Sequence, residues 1–120
     1  MAAKIYGGVD IAIKVPPHQY QSTIAFYRDV IGLEPITAKA PAVGFEFGPN
    51  KLWIDEAPAM SQAEVWLEFF TDDFDGAADH LAQAGAVRCD AIEQLPENFK
   101  GGWITNPAGI VHMLREPDAW

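Results

Sequence analysis

The chain has 120 residues, of which 49% are hydrophobic and 21% are charged, a composition typical of one globular domain. Its 17 acidic and 8 basic side chains give a formal net charge of −9, which opposes binding to nucleic acid or anionic membranes and favours a neutral or cationic partner. The single Cys89 excludes an intrachain disulfide, no apolar run approaches the roughly 20 residues of a membrane helix, and no secretion signal is recognisable, so we expect a cytoplasmic protein.

The first half of the chain is predicted to form a strand, a helix and then two more strands. Residues 9–15 (VDIAIKV) alternate as a strand does, and residues 19–32 (QYQSTIAFYRDVIG) place apolar side chains at helical spacing before a glycine stop. Residues 43–47 and 52–55 are short alternating runs joined by GPNK, which is typical of a β-hairpin.

The second half is predicted to repeat this order. Residues 64–70 (EVWLEFF) alternate as a strand, and residues 72–85 (DDFDGAADHLAQAG) favour a helix with acidic side chains at its start and Gly85 at its end. Further strand-like runs follow at residues 86–94, 101–105 and 110–116. The shared order of elements suggests a duplicated unit.

Alternation along EVWLEFF divides its side chains between two faces. One face is apolar and is expected to pack in the core: Val65, Leu67 and Phe69. The other face carries Trp66 between Glu64 and Glu68. A large indole between two carboxylates is unusual for a surface that meets only water, so this pattern favours a face that lines a cavity.

Several stretches resemble the glyoxalase and bleomycin-resistance proteins of the vicinal oxygen chelate (VOC) superfamily. IAFYRDVIGLEP after an alternating strand is similar to the first half-module of these proteins, and FFTDDFDGAADHLAQAG with WITNPAGIVHML is similar to the second. The resemblance covers nearly the whole chain. It implies one α+β domain (1–120) of two β-α-β-β-β modules, about residues 8–57 and 64–116, whose curled mixed sheets surround a pocket and carry helices on their outer faces.

Metal-dependent members of the superfamily hold a divalent ion with His or Glu side chains at four inward-facing strand positions. Matching the motifs places Asp10 and Trp66 where two histidines commonly stand, and strand parity places Trp53 at a third position. One alignment gap after NPAG places His112 at the fourth position and assigns the residues on either side of it to the core. An ungapped alignment places Met113 there instead.

Two of these four side chains are unable to bind a metal ion. An indole nitrogen is a donor with no lone pair to give, and Asp10 with His112 would leave a divalent ion mostly to water. We therefore expect neither a metal nor a cofactor. A rearranged metal site built on Glu64, Glu68 or Asp55 would need several coincident shifts, because these positions lie about 7 Å along a strand from the expected ones.

The resemblance implies two kinds of function. The first is a metal-independent binding protein like those of the bleomycin-resistance branch, a homodimer that confers antibiotic resistance by sequestering a small cationic or aromatic ligand. Its candidate ligand-binding residues are Asp10, Trp53, Glu64, Trp66, Glu68 and His112. The indoles would stack on the ligand and the carboxylates would neutralise its charge.

The second kind of function is a VOC-family enzyme of the lyase, isomerase or dioxygenase type. It would use Asp10 or His112 as a general base, or a rearranged metal site. The four residues at the expected metal-ligand positions also have a purely structural alternative. Trp53 and Trp66 would then be core aromatics, Asp10 a solvated turn or edge residue, and His112 a hydrogen-bonded packing residue. We favour the binding protein.

Overall fold

A computed structural model describes residues 3–119 of the chain. In chain order the elements are β1 (Ile5–Gly7), β2 (Asp10–Val15), α1 (Pro17–Ala25), a π-helix (Phe26–Ile31), β3 (Pro35–Ile36), β4 (Val43–Phe47), β5 (Asn50–Glu56), β6 (Glu64–Thr71), α2 (Phe74–Gln83), β7 (Val87–Arg88), a 3₁₀-helix (Asp90–Ile92), β8 (Gly101–Thr105) and β9 (Val111–Arg115). Among residues 3–119, no helix combines the length and apolar composition needed to cross a lipid bilayer.

The described residues divide into two compact units: the first unit is Val9–Trp66, and the second unit comprises residues 3–8 with 67–119. The first unit runs β2, α1, β3, β4, β5, and the second runs β6, α2, β7, β8, β9. Each therefore has the order β-α-β-β-β, and the predicted α+β fold of two such modules is confirmed.

In the first unit the strands lie in the order β3, β4, β5, β2, with β2 parallel to β5 and antiparallel to the first residues of β6. Helix α1 packs over β5 and β2. Side chains of α1 and of the strands beneath it form one buried apolar cluster: Val15, Ile24, Phe45, Leu52 and Ile54. Burying side chains of this size stabilises the fold by about 1.5–3 kcal/mol each.

The segment predicted as one helix over residues 19–32 is two helices. It starts earlier, with Pro17 at the first helical position, where a missing N–H costs nothing. After Ala25 the chain widens into a π-helix, which places the Tyr27 ring against Phe45 of the core, with 6.2 Å between ring centroids. The expected glycine stop is present, because Gly32 adopts the left-handed conformation at φ = 80°.

In the second unit the strands lie in the order β6, β9, β8, β7, and β1 pairs with β6. Leu114 of β9 is buried together with Ala3 and Ala77, the latter from α2. The side chain of Asp73 caps α2 by accepting a hydrogen bond from the amide of Gly76 at 3.2 Å.

Three predictions about the second half of the chain need correction. The run at 86–94 is a strand only at Val87–Arg88, because the Asp90 carboxylate accepts the backbone N–H of Trp103 and the chain turns into a 3₁₀-helix. Val65 and Leu67, expected in the core, are 47% and 39% exposed. Val65 aligns with Ile13 on the helix-covered side, but α1 packs over β5 and β2 instead.

Phenylalanines 45 and 47 provide a matched test of the first unit's core. Phe45 is fully buried, whereas Phe47, two residues along the same strand, is exposed. Phe45→Ala should lower the free energy of unfolding by about 3–5 kcal/mol, because it leaves a cavity in the cluster. Phe47→Ala should lower it by less than about 1 kcal/mol. Urea unfolding of the two variants measures the difference, and equal losses would contradict this core.

Candidate ligand-binding face of the first unit

The strands of the first unit have a second face, opposite the one that α1 covers. We call it the indole face. Strand registers place ten residues on it: Asp10, Ala12, Lys14, Gly44, Glu46, Lys51, Trp53, Asp55, Glu64 and Trp66. Four of the six candidate ligand-binding residues lie there: Asp10, Trp53, Glu64 and Trp66. Glu68 and His112 belong to the second unit.

Trp53 lies between two small residues in the strand register, Gly44 on β4 and Ala12 on β2. Its six-membered ring covers Gly44 so closely that an added Cβ atom would lie 2.5 Å from Cε3. A glycine is therefore required beneath the ring. The indole N–H of Trp53 donates a hydrogen bond to Oδ1 of Asp10 at 3.0 Å, and the indole as a whole is only partly buried.

Trp66 has the same kind of partner. Its indole N–H donates a hydrogen bond to Oε1 of Glu64 at 3.0 Å. Trp66 itself is 3% exposed, whereas Glu64 is exposed. Each of the two indoles on this face is thus bonded through its single donor to a carboxylate.

Lys14 also contacts Trp66, and it was not among the candidate residues predicted from the sequence. Its ammonium nitrogen lies 4.3 Å from the Trp66 ring centroid and 2.9 Å from Oδ2 of Asp55. Only 5% of this lysine is exposed. Its position was predictable from the strand sequence DIAIKV, because Lys14 has the same parity as Asp10 and therefore lies on the same face.

The indole face carries an excess of negative charge. Its carboxylates belong to Asp10, Glu46, Asp55 and Glu64, and its ammonium groups to Lys14 and Lys51. Lys51 pairs with Glu46 at 3.0 Å, and Lys14 pairs with Asp55. By this count the face carries two more carboxylates than ammonium groups.

Glu68 has a structural partner within the second unit. Its Oε2 accepts a hydrogen bond from Nε of Arg115 at 2.7 Å, and both side chains are buried. Arg115 also donates to the carbonyl oxygen of Pro117 at 2.9 Å and stacks on Phe70. Removing one partner of a buried ion pair is strongly destabilising, because the other charge loses its compensation.

The orientation expected for His112 is wrong. His112 aligns with Leu67 and shares the face of Leu114, which packs against α2, and its ring stacks on Phe69 with 4.9 Å between centroids. Its Nδ1–H donates to the carbonyl oxygen of Ile110 at 3.0 Å. Met113 takes the opposite face, in register with Glu68, as the ungapped alignment requires.

The residues at the expected metal-ligand positions do not fit a metal ion. The nitrogens of Trp53 and Trp66 are donors already bonded to carboxylates, so they offer no lone pair. Among residues 3–119, no group of three or more His, Cys, Asp or Glu side chains is placed to hold a metal ion.

A separate groove of about 360 Å³ lies in the first unit between α1, the π-helix and residues 35–45. It contains none of the six candidate residues. Tyr20 lines it, and burial raises the pKa of the phenol, with the negative charges of Glu56 and Asp55 raising it further. The other residues that line the groove are mainly apolar, so the groove carries less charge than the indole face.

No family model and no curated protein matches this sequence. Solved structures do match. An Mn(II)-bound glyoxalase from Novosphingobium aromaticivorans is similar at a TM-score of 0.65 and 18% identity over 98% of this chain. This chain spans only 40% of that protein's length.

Two proteins of comparable length are also similar. A hypothetical protein from Bacillus halodurans has a TM-score of 0.66 at 12% identity, with 100% of this chain and 98% of that one covered. A glyoxalase/bleomycin resistance protein/dioxygenase superfamily member from Vibrio splendidus has a TM-score of 0.55 at 12% identity, with 87% and 95% covered. The chain therefore has the fold of the glyoxalase, bleomycin-resistance and dioxygenase proteins, the VOC superfamily, as its sequence predicts.

Proposed function

We propose that this chain is a metal-independent binding protein for a small cationic or aromatic molecule, and that the ligand stacks on Trp53 beside the Asp10 carboxylate. The observation that carries the proposal is the hydrogen bond between these two side chains. A carboxylate that accepts the indole N–H pushes electron density toward the ring and places a negative charge at its edge, and both effects favour a cation above the ring.

The neighbouring indole supports this choice of ligand. Trp66 has the same carboxylate arrangement, and an ammonium group, that of Lys14, lies over its ring. The same local chemistry at Trp53 offers a partly exposed ring. A net charge of −9 would further accelerate the capture of a cation.

The test compares a planar cation with an uncharged analogue. N-methylquinolinium should quench tryptophan fluorescence saturably, and neutral quinoline should bind more weakly because it lacks the charge. Trp53→Ala should weaken binding of the cation by about 1–3 kcal/mol, since stacking and cation–π attraction are both lost. Asp10→Asn should weaken binding of the cation and leave that of quinoline nearly unchanged.

Trp103→Phe is the matched control, because Trp103 is buried in the second unit and its indole N–H donates to the carbonyl oxygen of Glu93 at 2.9 Å. This variant should retain the wild-type affinity. Absence of saturable quenching in the wild type, or an unchanged affinity in Trp53→Ala, would contradict the proposal.

Glu68 was a candidate ligand contact, and its pairing with Arg115 predicts a different result on mutation. Glu68→Gln should lower the free energy of unfolding by about 3–5 kcal/mol, because it removes the negative charge that pairs with the buried Arg115 guanidinium. Glu64→Gln, which changes an exposed carboxylate, should lower it by less than about 1 kcal/mol. Thermal or urea unfolding distinguishes them, and a stable Glu68→Gln protein with weakened cation binding would restore Glu68 to the ligand site.

A further inference from the structure

Lys14 occupies an unusual position for a lysine. Lysines are almost never fully buried without a partner, yet this one lies in the middle of the first unit's strands with 5% of its surface exposed. Its ammonium group is held by the Asp55 carboxylate at 2.9 Å and by the Trp66 ring at 4.3 Å. The lysine is thus bound as a ligand would be, by an anion and an aromatic face.

The strand register builds this arrangement from three strands. Lys14 on β2 aligns with Asp55 on one side and with Glu64 on the other. Two residues earlier, Ala12 aligns with Trp66, and its small side chain leaves space for the indole. An acid and a ring therefore contact the ammonium group, and a second acid lies opposite Lys14 in the strand register.

Glu64 acts on the ammonium through the indole. Its carboxylate accepts the indole N–H of Trp66 at 3.0 Å, which increases the electron density of the ring and strengthens its attraction for a cation. Since Trp66 is almost fully buried, water does not screen this attraction as it would at an exposed site.

We infer that Trp66, Asp55 and Glu64 form a binding site for a primary alkylammonium ion, and that the chain fills this site with its own Lys14 side chain. The ligand class follows from the contacts. A primary ammonium offers several N–H donors to a carboxylate, and an unbranched alkyl chain fits the path that the lysine methylenes take. The inference rests on the contacts of Lys14 with Asp55 and Trp66 and on that of Trp66 with Glu64, whereas the proposed function rests on the contact of Trp53 with Asp10.

Removing the side chain and supplying it from solution tests the inference. Lys14→Ala deletes three methylenes and the ammonium, which together match n-propylammonium. The variant should be less stable than the wild type. n-Propylammonium chloride should raise its urea unfolding midpoint saturably, because a ligand that binds the folded state stabilises it by mass action. The wild type should show no such rise, since its site is already filled.

Two additives serve as controls for the chemistry. Sodium chloride at equal concentration reports the effect of ionic strength, and 1-propanol reports the effect of filling space without charge. Neither should reproduce the rise. If Lys14→Ala is unfolded on its own, circular dichroism should show that n-propylammonium restores folding and that 1-propanol does not.

A second variant tests whether n-propylammonium stabilises the protein by binding beside Asp55. In Lys14→Ala combined with Asp55→Asn, the half-maximal concentration of n-propylammonium should rise at least about tenfold, because the counter-charge is absent. The inference is overturned if n-propylammonium does not stabilise Lys14→Ala, if 1-propanol does so equally, or if the Asp55→Asn change has no effect. None of these outcomes depends on whether N-methylquinolinium binds at Trp53.

Discussion

The indole N–H of Trp66 must find an acceptor, because the residue is almost completely buried and the nitrogen has one donor to satisfy. Glu64 meets this requirement from two residues away on the same strand. The bond adds a negative charge to a region that already contains Asp55, and both charges favour a nearby cation. Lys14 supplies it, lying over the indole while it pairs with Asp55. The buried indole of Trp66 is thus the residue to which Glu64 and Lys14 are both bound.

Trp53 makes the same kind of hydrogen bond to a carboxylate as Trp66, but it is less buried. Asp10 accepts its N–H, and Gly44 gives its ring a flat surface on which to lie. This indole is only partly buried, and we propose that the ligand stacks on the side of the ring that faces away from the strands. The difference between the two indoles is therefore one of access, while their chemistry is shared.

Sequence reasoning predicted the fold better than it predicted which faces are covered. Strand alternation correctly grouped Trp66 with Glu64, and Val65 with Leu67, because parity depends only on backbone geometry. It assigned Val65 and Leu67 to the core, whereas both are substantially exposed, because coverage depends on where a helix packs. The predicted orientation of His112 was wrong for a related reason, since one inserted gap reverses the parity of every residue that follows it. The π-helix was not predictable from an apolar spacing that also fits an α-helix.

The similar solved structures include a protein that binds Mn(II), yet the shared fold does not carry that chemistry to this chain. A metal site depends on side chains with lone pairs at particular strand positions. At two of the positions expected from the resemblance this chain carries indoles, whose donors are bonded to carboxylates instead. These side chains are the basis of the cation-binding function that we propose.

The central claim is that both indoles of this face are hydrogen-bonded to carboxylates, and NMR of the indole N–H groups tests it most directly. Asp10→Ala removes the acceptor of the Trp53 indole and Glu64→Ala that of the Trp66 indole, so each variant should shift the Nε1–H resonance of the indole that loses its carboxylate. The Nε1–H resonance of Trp103, which donates to a backbone carbonyl, should stay constant in both variants. Nε1–H resonances of Trp53 and Trp66 that stay constant when their carboxylates are removed would contradict the account.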